Sequence, residues 1–145
     1  INTYDMKRGG KPAQLTDYFP PAPIFQALMG DKLVQTALKD KAKPRDLTAL
    51  LAAIAYYQSA DCVWGFGDNL LRHFAFHHVQ GNRVAVRFGL SHGCEVARGG
   101  LTIVAIYLPI PRALAADLAA AQAGRQGFLV PGAPRLTAQA SLRLP

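Results

Sequence analysis

Apolar and polar residues alternate from Phe74 to Phe88, and this stretch predicts a β-hairpin. A three-residue loop, Gln80-Gly81-Asn82, places Val79 opposite Arg83. Phe74, Phe76 and His78 then share one face with Val84, Val86 and Phe88, while His73, Ala75 and His77 share the other with Ala85 and Arg87. A two-residue loop would oppose Phe76 to Arg87 and mix the faces. Because a slip of one residue sends every side chain to the wrong surface, the three-residue loop is the expected one. Leu101 to Ile110 is apolar on both alternating sets, as in a central strand covered on both sides. Pro111 suits the first turn of a following helix, Arg112 to Ala123, which Gly124 ends.

Upstream, Asn2 to Lys7 reads as a first strand, closed by the turn Arg8-Gly9-Gly10-Lys11-Pro12. Pro20-Pro21-Ala22-Pro23 cannot be helix interior. A helix begins near Pro23 or Ile24 and carries Ile24, Leu28, Leu33 and Leu38 at roughly helical spacing, with Gly30-Asp31 a weak point that can divide it; Pro44 ends the segment. Asp46 is placed to cap a second helix, Leu47 to about Ser59, whose Leu47, Leu50, Leu51, Ile54, Ala55 and Tyr57 form a wide buried face. Asp61 to Asp68 is a loop rich in aromatics and glycine. Beyond Arg125 there is neither periodicity nor an acidic residue, so 124–145 is expected to be an extended tail or linker after a single domain, 1–123. The expected class is α+β: an antiparallel sheet of about four strands, with Asn2–Lys7 beside the hairpin or the last strand, and two or three helices packed on it.

At 145 residues, 50% hydrophobic and 17% charged, the chain is long enough to bury a core and is not disordered. Its longest apolar run, Leu47 to Tyr57, falls short of the roughly 18 residues that span a bilayer, so no transmembrane segment is expected. Ile1-Asn2-Thr3-Tyr4-Asp5 reads as structured protein, which places any signal or anchor upstream. The formal charge of +7 is spread out: eight Lys/Arg against five Asp/Glu in the first fifty residues, four against one in the last forty-five. Without a dense basic arm, no nucleic-acid partner is expected. Diffuse positive charge favours anionic envelope polymers, lipid headgroups or acidic proteins through long-range attraction.

Two cysteines, Cys62 and Cys94, allow one intramolecular pairing. Such a bridge would contribute roughly 2–4 kcal/mol and imply an oxidising compartment. Cys94 also stands near His92 and Glu95, the residue types of a nucleophile, base and orienter. Adjacent side chains in an extended segment point apart, so this is kept as an alternative reactive loop and no catalytic residue is assigned. No cofactor is implied, and no metal site is expected, because His73 and His77 would lie about 13 Å apart along one strand. The acids sit mostly at predicted turns and caps, where local roles explain them. His73, His77, Arg83 and Arg87 are more informative. Four potentially cationic groups on one hairpin face form a candidate receptor for an anionic glycan or acidic partner surface, with Trp64 and Phe66 as a stacking surface for sugar.

The opening Tyr4-Asp5-Met6-Lys7-Arg8-Gly9-Gly10-Lys11 is followed by Leu15-Thr16-Asp17-Tyr18-Phe19 and a Leu-rich helix. Later, Phe88 and Leu90 precede a loop to Gly99-Gly100, a strand closing in Leu108-Pro109 and a helix through Leu114. Over residues 1–123 this series resembles a bacterial extracytoplasmic domain of unknown function found in lysozyme-sensing anti-sigma factors and beside the catalytic domain of some peptidoglycan deacetylases. The family's tyrosine-rich loop is here Ser91-His92-Gly93-Cys94-Glu95-Val96-Ala97-Arg98, and no residue matches a catalytic motif of the deacetylases. The resemblance implies a periplasmic or extracellular domain that binds or senses a peptidoglycan- or lysozyme-related ligand or partner protein. A hydrolase or accessory domain of a peptidoglycan-modifying enzyme is the alternative, and a structural spacer the third reading.

Overall fold

Near the N-terminus the chain doubles back on itself. In the computed structural model, which describes residues 2–59, 62–64, 66–90, 101–124, 129 and 142–143, β1 (Tyr4–Asp5) pairs antiparallel with β2 (Lys11–Pro12). Gly9 and Gly10 make the reversal with φ of 71° and 73°, a conformation that side-chain-bearing residues rarely adopt. The Asp5 carboxylate closes the turn by accepting from the Lys7 and Arg8 backbone N–H groups. Asn2–Lys7 is therefore no strand of the main sheet. It pairs with its own continuation, and Thr3 ties it to the start of the hairpin by donating to the carbonyls of Arg72 and Phe74.

A 3₁₀ turn at Leu15–Asp17 leads into α1 (Pro21–Met29) and α2 (Lys32–Ala37). The break falls at the Gly30-Asp31 weak point, and Asp31 explains why a new helix starts there. Its Oδ1 accepts from the Leu33 and Val34 N–H groups at 2.8 and 3.2 Å, an N-cap that satisfies donors left open by a helix start. Asp46 caps α3 (Leu47–Ile54) in the same way, through the Ala49 N–H at 2.8 Å. α3 is shorter than its apolar spacing suggests. The Ala55 carbonyl accepts from Gly67 N–H at 3.1 Å, so the returning chain supplies a bond that another helical turn would have supplied. Tyr57–Ser59 instead forms β3, paired with β4 (Cys62–Trp64).

The hairpin strands β5 (Phe74–Gln80) and β6 (Arg83–Gly89) are joined by β7 (Leu101–Pro109). After α4 (Arg112–Gln122), β8 (Leu142–Arg143) completes an antiparallel sheet in the order β5-β6-β7-β8. The chain thus has the α+β class, with a four-stranded antiparallel sheet and helices packed on it. The place beside β7 is taken by Leu142–Arg143, and Leu129 packs against the core, so the 124–145 segment meets the domain at both points.

One sheet face carries Phe74, Val84, Val86, Phe88, Val104, Ile106 and Leu108, each at most 1% exposed. α1 packs on β7 and α3 and buries Ile24 and Leu28 there. α4 lies against β5, buries Leu118 and is held to the N-terminal turn by Lys7, whose Nζ meets both Asp117 oxygens at 2.6 and 2.7 Å. Among the described residues, no helix is long and apolar enough to cross a membrane.

Candidate functional site

The hairpin turn holds two residues, not three: Gln80 pairs with Arg83 and Val79 with Val84. Gly81 has φ 58°, as a type II′ turn requires of its first central residue. Farther from the turn the expected register holds, with Phe74 opposite Phe88 and Phe76 opposite Val86. A β-bulge absorbs the difference, its two residues His77 and His78 together opposing Ala85. The bulge reconciles a tight Gly-Asn turn with the packing of both Phe76 and Val79 against the core. His78 consequently does not face the core as the unbulged strand predicts. It joins His77 on the outer face of the sheet.

Ala85 decides what those two rings can reach. It pairs with Tyr107 on β7, so the bulge, Ala85 and Tyr107 form one row across three strands. Ala85 carries only a methyl group and is 0% exposed, because a bridge passes over it. His78 Nε2 lies 3.1 Å from the Tyr107 hydroxyl, and His77 Nδ1 lies 2.9 Å from His78 Nδ1. The rings meet edge to face, at 78° between the imidazoles and 87° between His78 and Tyr107. In the next row Arg87 stands between Ala75 and Ala105. Its Nε is buried and has no hydrogen-bond partner among the described residues.

Burial shapes the electrostatics. His77, 8% exposed, is held below the ordinary imidazole range first by desolvation and then by His78 and the Arg87 guanidinium. His78 is lowered by burial as well. The Nδ1–Nδ1 bond sets a looser requirement: one of the two nitrogens must be bare to accept, so at most one ring is charged while the bond holds. If His77 donates, His78 keeps its proton on Nε2 and donates to Tyr107; if His78 donates, its Nε2 accepts from the Tyr107 hydroxyl.

The other expected site residues are dispersed. Arg83, at the start of β6, lines a cleft of about 360 Å³ between the sheet and α1, with Tyr107 and Pro109 on one wall and Pro23, Gln26, Ala27 and Gly30 on the other. Tyr107 therefore belongs both to this cleft and to the histidine row. His73 lies elsewhere. The chain leaves strand geometry there, with φ −103° and ψ 53° after a 3₁₀ turn at Leu70–Arg72, and His73 lines a separate cleft with Asn2, Thr3, Tyr4 and Arg72. The four cations thus form no single patch: His77 and Arg87 come together, Arg83 joins them through Tyr107, and His73 stands apart. Trp64 and Cys62 belong to β4, in a sheet separate from the hairpin. Phe66 is a core residue at 1% exposure, not a platform for sugar. His92, Cys94 and Glu95 lie outside the described residues, and with them the Cys62–Cys94 pairing and the alternative reactive loop. Among the described residues, no three His, Cys, Asp or Glu side chains gather to hold a metal ion.

Sequence reasoning missed His78 and Tyr107. Two consecutive polar residues interrupting an alternating strand are a bulge signature, and a tyrosine in an otherwise aliphatic strand marks a polar tip in need of a partner. Compared with family models, curated proteins and solved structures, the chain gives no match in any of the three.

Proposed function

We propose that the chain is a non-catalytic extracytoplasmic binding or sensing domain that takes an anionic cell-envelope ligand on the outer face of its sheet. The observation that carries this reading is Arg87. Its buried Nε, unpartnered among the described residues, sits between two alanines in a face that also offers Tyr107 and the exposed Arg83. The guanidinium is a fork of five donors, of which the buried Nε is unmet among the described residues, and a group of this kind pairs with a carboxylate or phosphate. A peptidoglycan fragment, which combines stem-peptide carboxylates with sugar rings, suits this set. The net charge of +7 favours such an anion over a cationic protein. The compartment comes from the family resemblance. The hydrolase alternative rests on His92, Cys94 and Glu95.

The test is calorimetric titration of soluble peptidoglycan fragments into the wild type, Arg83→Gln and Arg87→Gln. Each substitution is expected to weaken binding about tenfold or more, since a hydrogen bond to a charged group contributes roughly 1.5–3 kcal/mol. Undiminished binding by both folded variants, or none by the wild type, overturns the reading. Binding of a lysozyme-like protein at the same face instead would reassign it to a protein partner.

A further inference from the structure

We infer that anion binding on the outer face is proton-linked, the His77–His78 pair taking up a proton when an anionic group settles beside Arg87. The inference rests on the binding reading above and adds its regulation. The geometry supplies the coupling. The bridge His77–His78–Tyr107 has two distinct proton arrangements while both rings are neutral, and one added proton still leaves a donor and an acceptor at the 2.9 Å contact. A second proton leaves two N–H groups facing each other and breaks it. One proton is therefore the capacity of the intact pair.

What opposes that proton is equally local. Within β5 His78 opposes a charge on His77, from β6 the Arg87 guanidinium opposes it too, and from β7 the Tyr107 hydroxyl meets His78. α4, packed against β5, has its Asp117 engaged by Lys7, and Arg83 lies at the far end of the row beside Tyr107. An anion paired with Arg87 cancels the fixed positive charge that, among the described residues, acts on His77. By linkage, whatever makes protonation easier when the anion is bound makes anion binding tighter when the proton is present. Uptake of one proton tightens binding up to about tenfold for each pH unit lowered, within the window between the free and bound titrations. Tyr107 carries the change into the α1 cleft, because the same side chain lines it.

The experiment is an NMR titration of the imidazole nitrogens between pH 4.5 and 8.5 on ¹⁵N-labelled full chain, with and without sulfate, which keeps its charge across that range. Sulfate is expected to raise the His77 and His78 midpoints in the wild type and to leave them in Arg87→Gln. His78→Asn is expected to shift the His77 midpoint upward by removing its coupled neighbour. Midpoints unmoved by sulfate in the wild type, or a His77 titration indifferent to His78→Asn, overturns the inference. The binding reading fails separately: sulfate that moves the midpoints while peptidoglycan fragments do not bind leaves the proton linkage standing. Fragment binding without pH dependence does the reverse.

Discussion

Deleting one residue from β5 should be almost harmless at the bulge and severe two or three positions away. Without His78, Phe74 still opposes Phe88, Phe76 opposes Val86, and Val79 opposes Val84, with His77 alone facing Ala85 in a regular ladder. The losses are the bonds from His78 to Tyr107 and to His77, each worth roughly 0.5–1.5 kcal/mol, partly offset by straightening the strand. Without Ala75, the bulge cannot rescue the register. Either Phe74 turns to the outer face, or the bulge straightens and Phe76 does so while His77 enters the core. Phe74 is 1% exposed and meets Phe76 and Tyr18 at ring centroid distances of 5.7 and 6.4 Å. Removing a phenyl ring from such a core costs about 3–5 kcal/mol. At about 2–4 °C per kcal/mol for a chain near this size, the Ala75 deletion should lower Tm by at least about 6 °C and the His78 deletion by only a few degrees. Thermal and urea unfolding followed by circular dichroism would measure both. Equal damage from the two deletions would refute the two-residue turn with its compensating bulge.

Gly81→Ala should destabilise by about 1–2 kcal/mol at unchanged fold, because the cost is that of a positive φ and no atom lies within 4 Å of the added methyl group; no change in urea midpoint would contradict the turn assignment. The buried histidines make stability fall on acidification: the unfolded chain takes up their protons near pH 6.5, before the folded chain does, so their contribution is complete above that value and is lost as pH drops through the folded midpoints. Unfolding curves between pH 7.5 and 5 should show that loss, and His77→Gln with His78→Gln should flatten it. Asp31 has the opposite sign, since burial raises its carboxyl and its Oδ2 has no partner among the described residues. Asp31→Ser keeps a capping oxygen and removes the buried charge, so it should exceed Asp31→Ala by about 1 kcal/mol, and the wild type should lose stability relative to it as pH rises from 4 to 7.

What could be read from sequence was local. Asp46 before an apolar helix, Gly30-Asp31 within one, and Phe74 and Phe76 set against Phe88 and Val86 each depend on a few neighbouring residues, and the structure bears all of these out. The α+β class follows from the same periodicities. The bulge was hidden because an argument from alternation assumes an unbroken period of two, and it chose a longer loop where the chain chose a shorter loop and an extra strand residue. The β3–β4 pair was hidden because Tyr57–Ser59 and Cys62–Trp64 are too short for any periodicity and adjoin an apolar helix. The histidine–tyrosine row was the least accessible part. It joins residues 29 positions apart across an intervening strand, and its existence turns on Ala85 being too small to fill the space between them.

The most direct measurement is a ¹H–¹⁵N chemical-shift titration of the labelled chain with an anionic peptidoglycan fragment. Binding on the outer sheet face predicts the largest perturbations at His78, Arg83, Arg87 and Tyr107, with little change at His73 and Thr3 in the other cleft. Perturbations centred on His73, or a spectrum unmoved at saturating fragment, would contradict it.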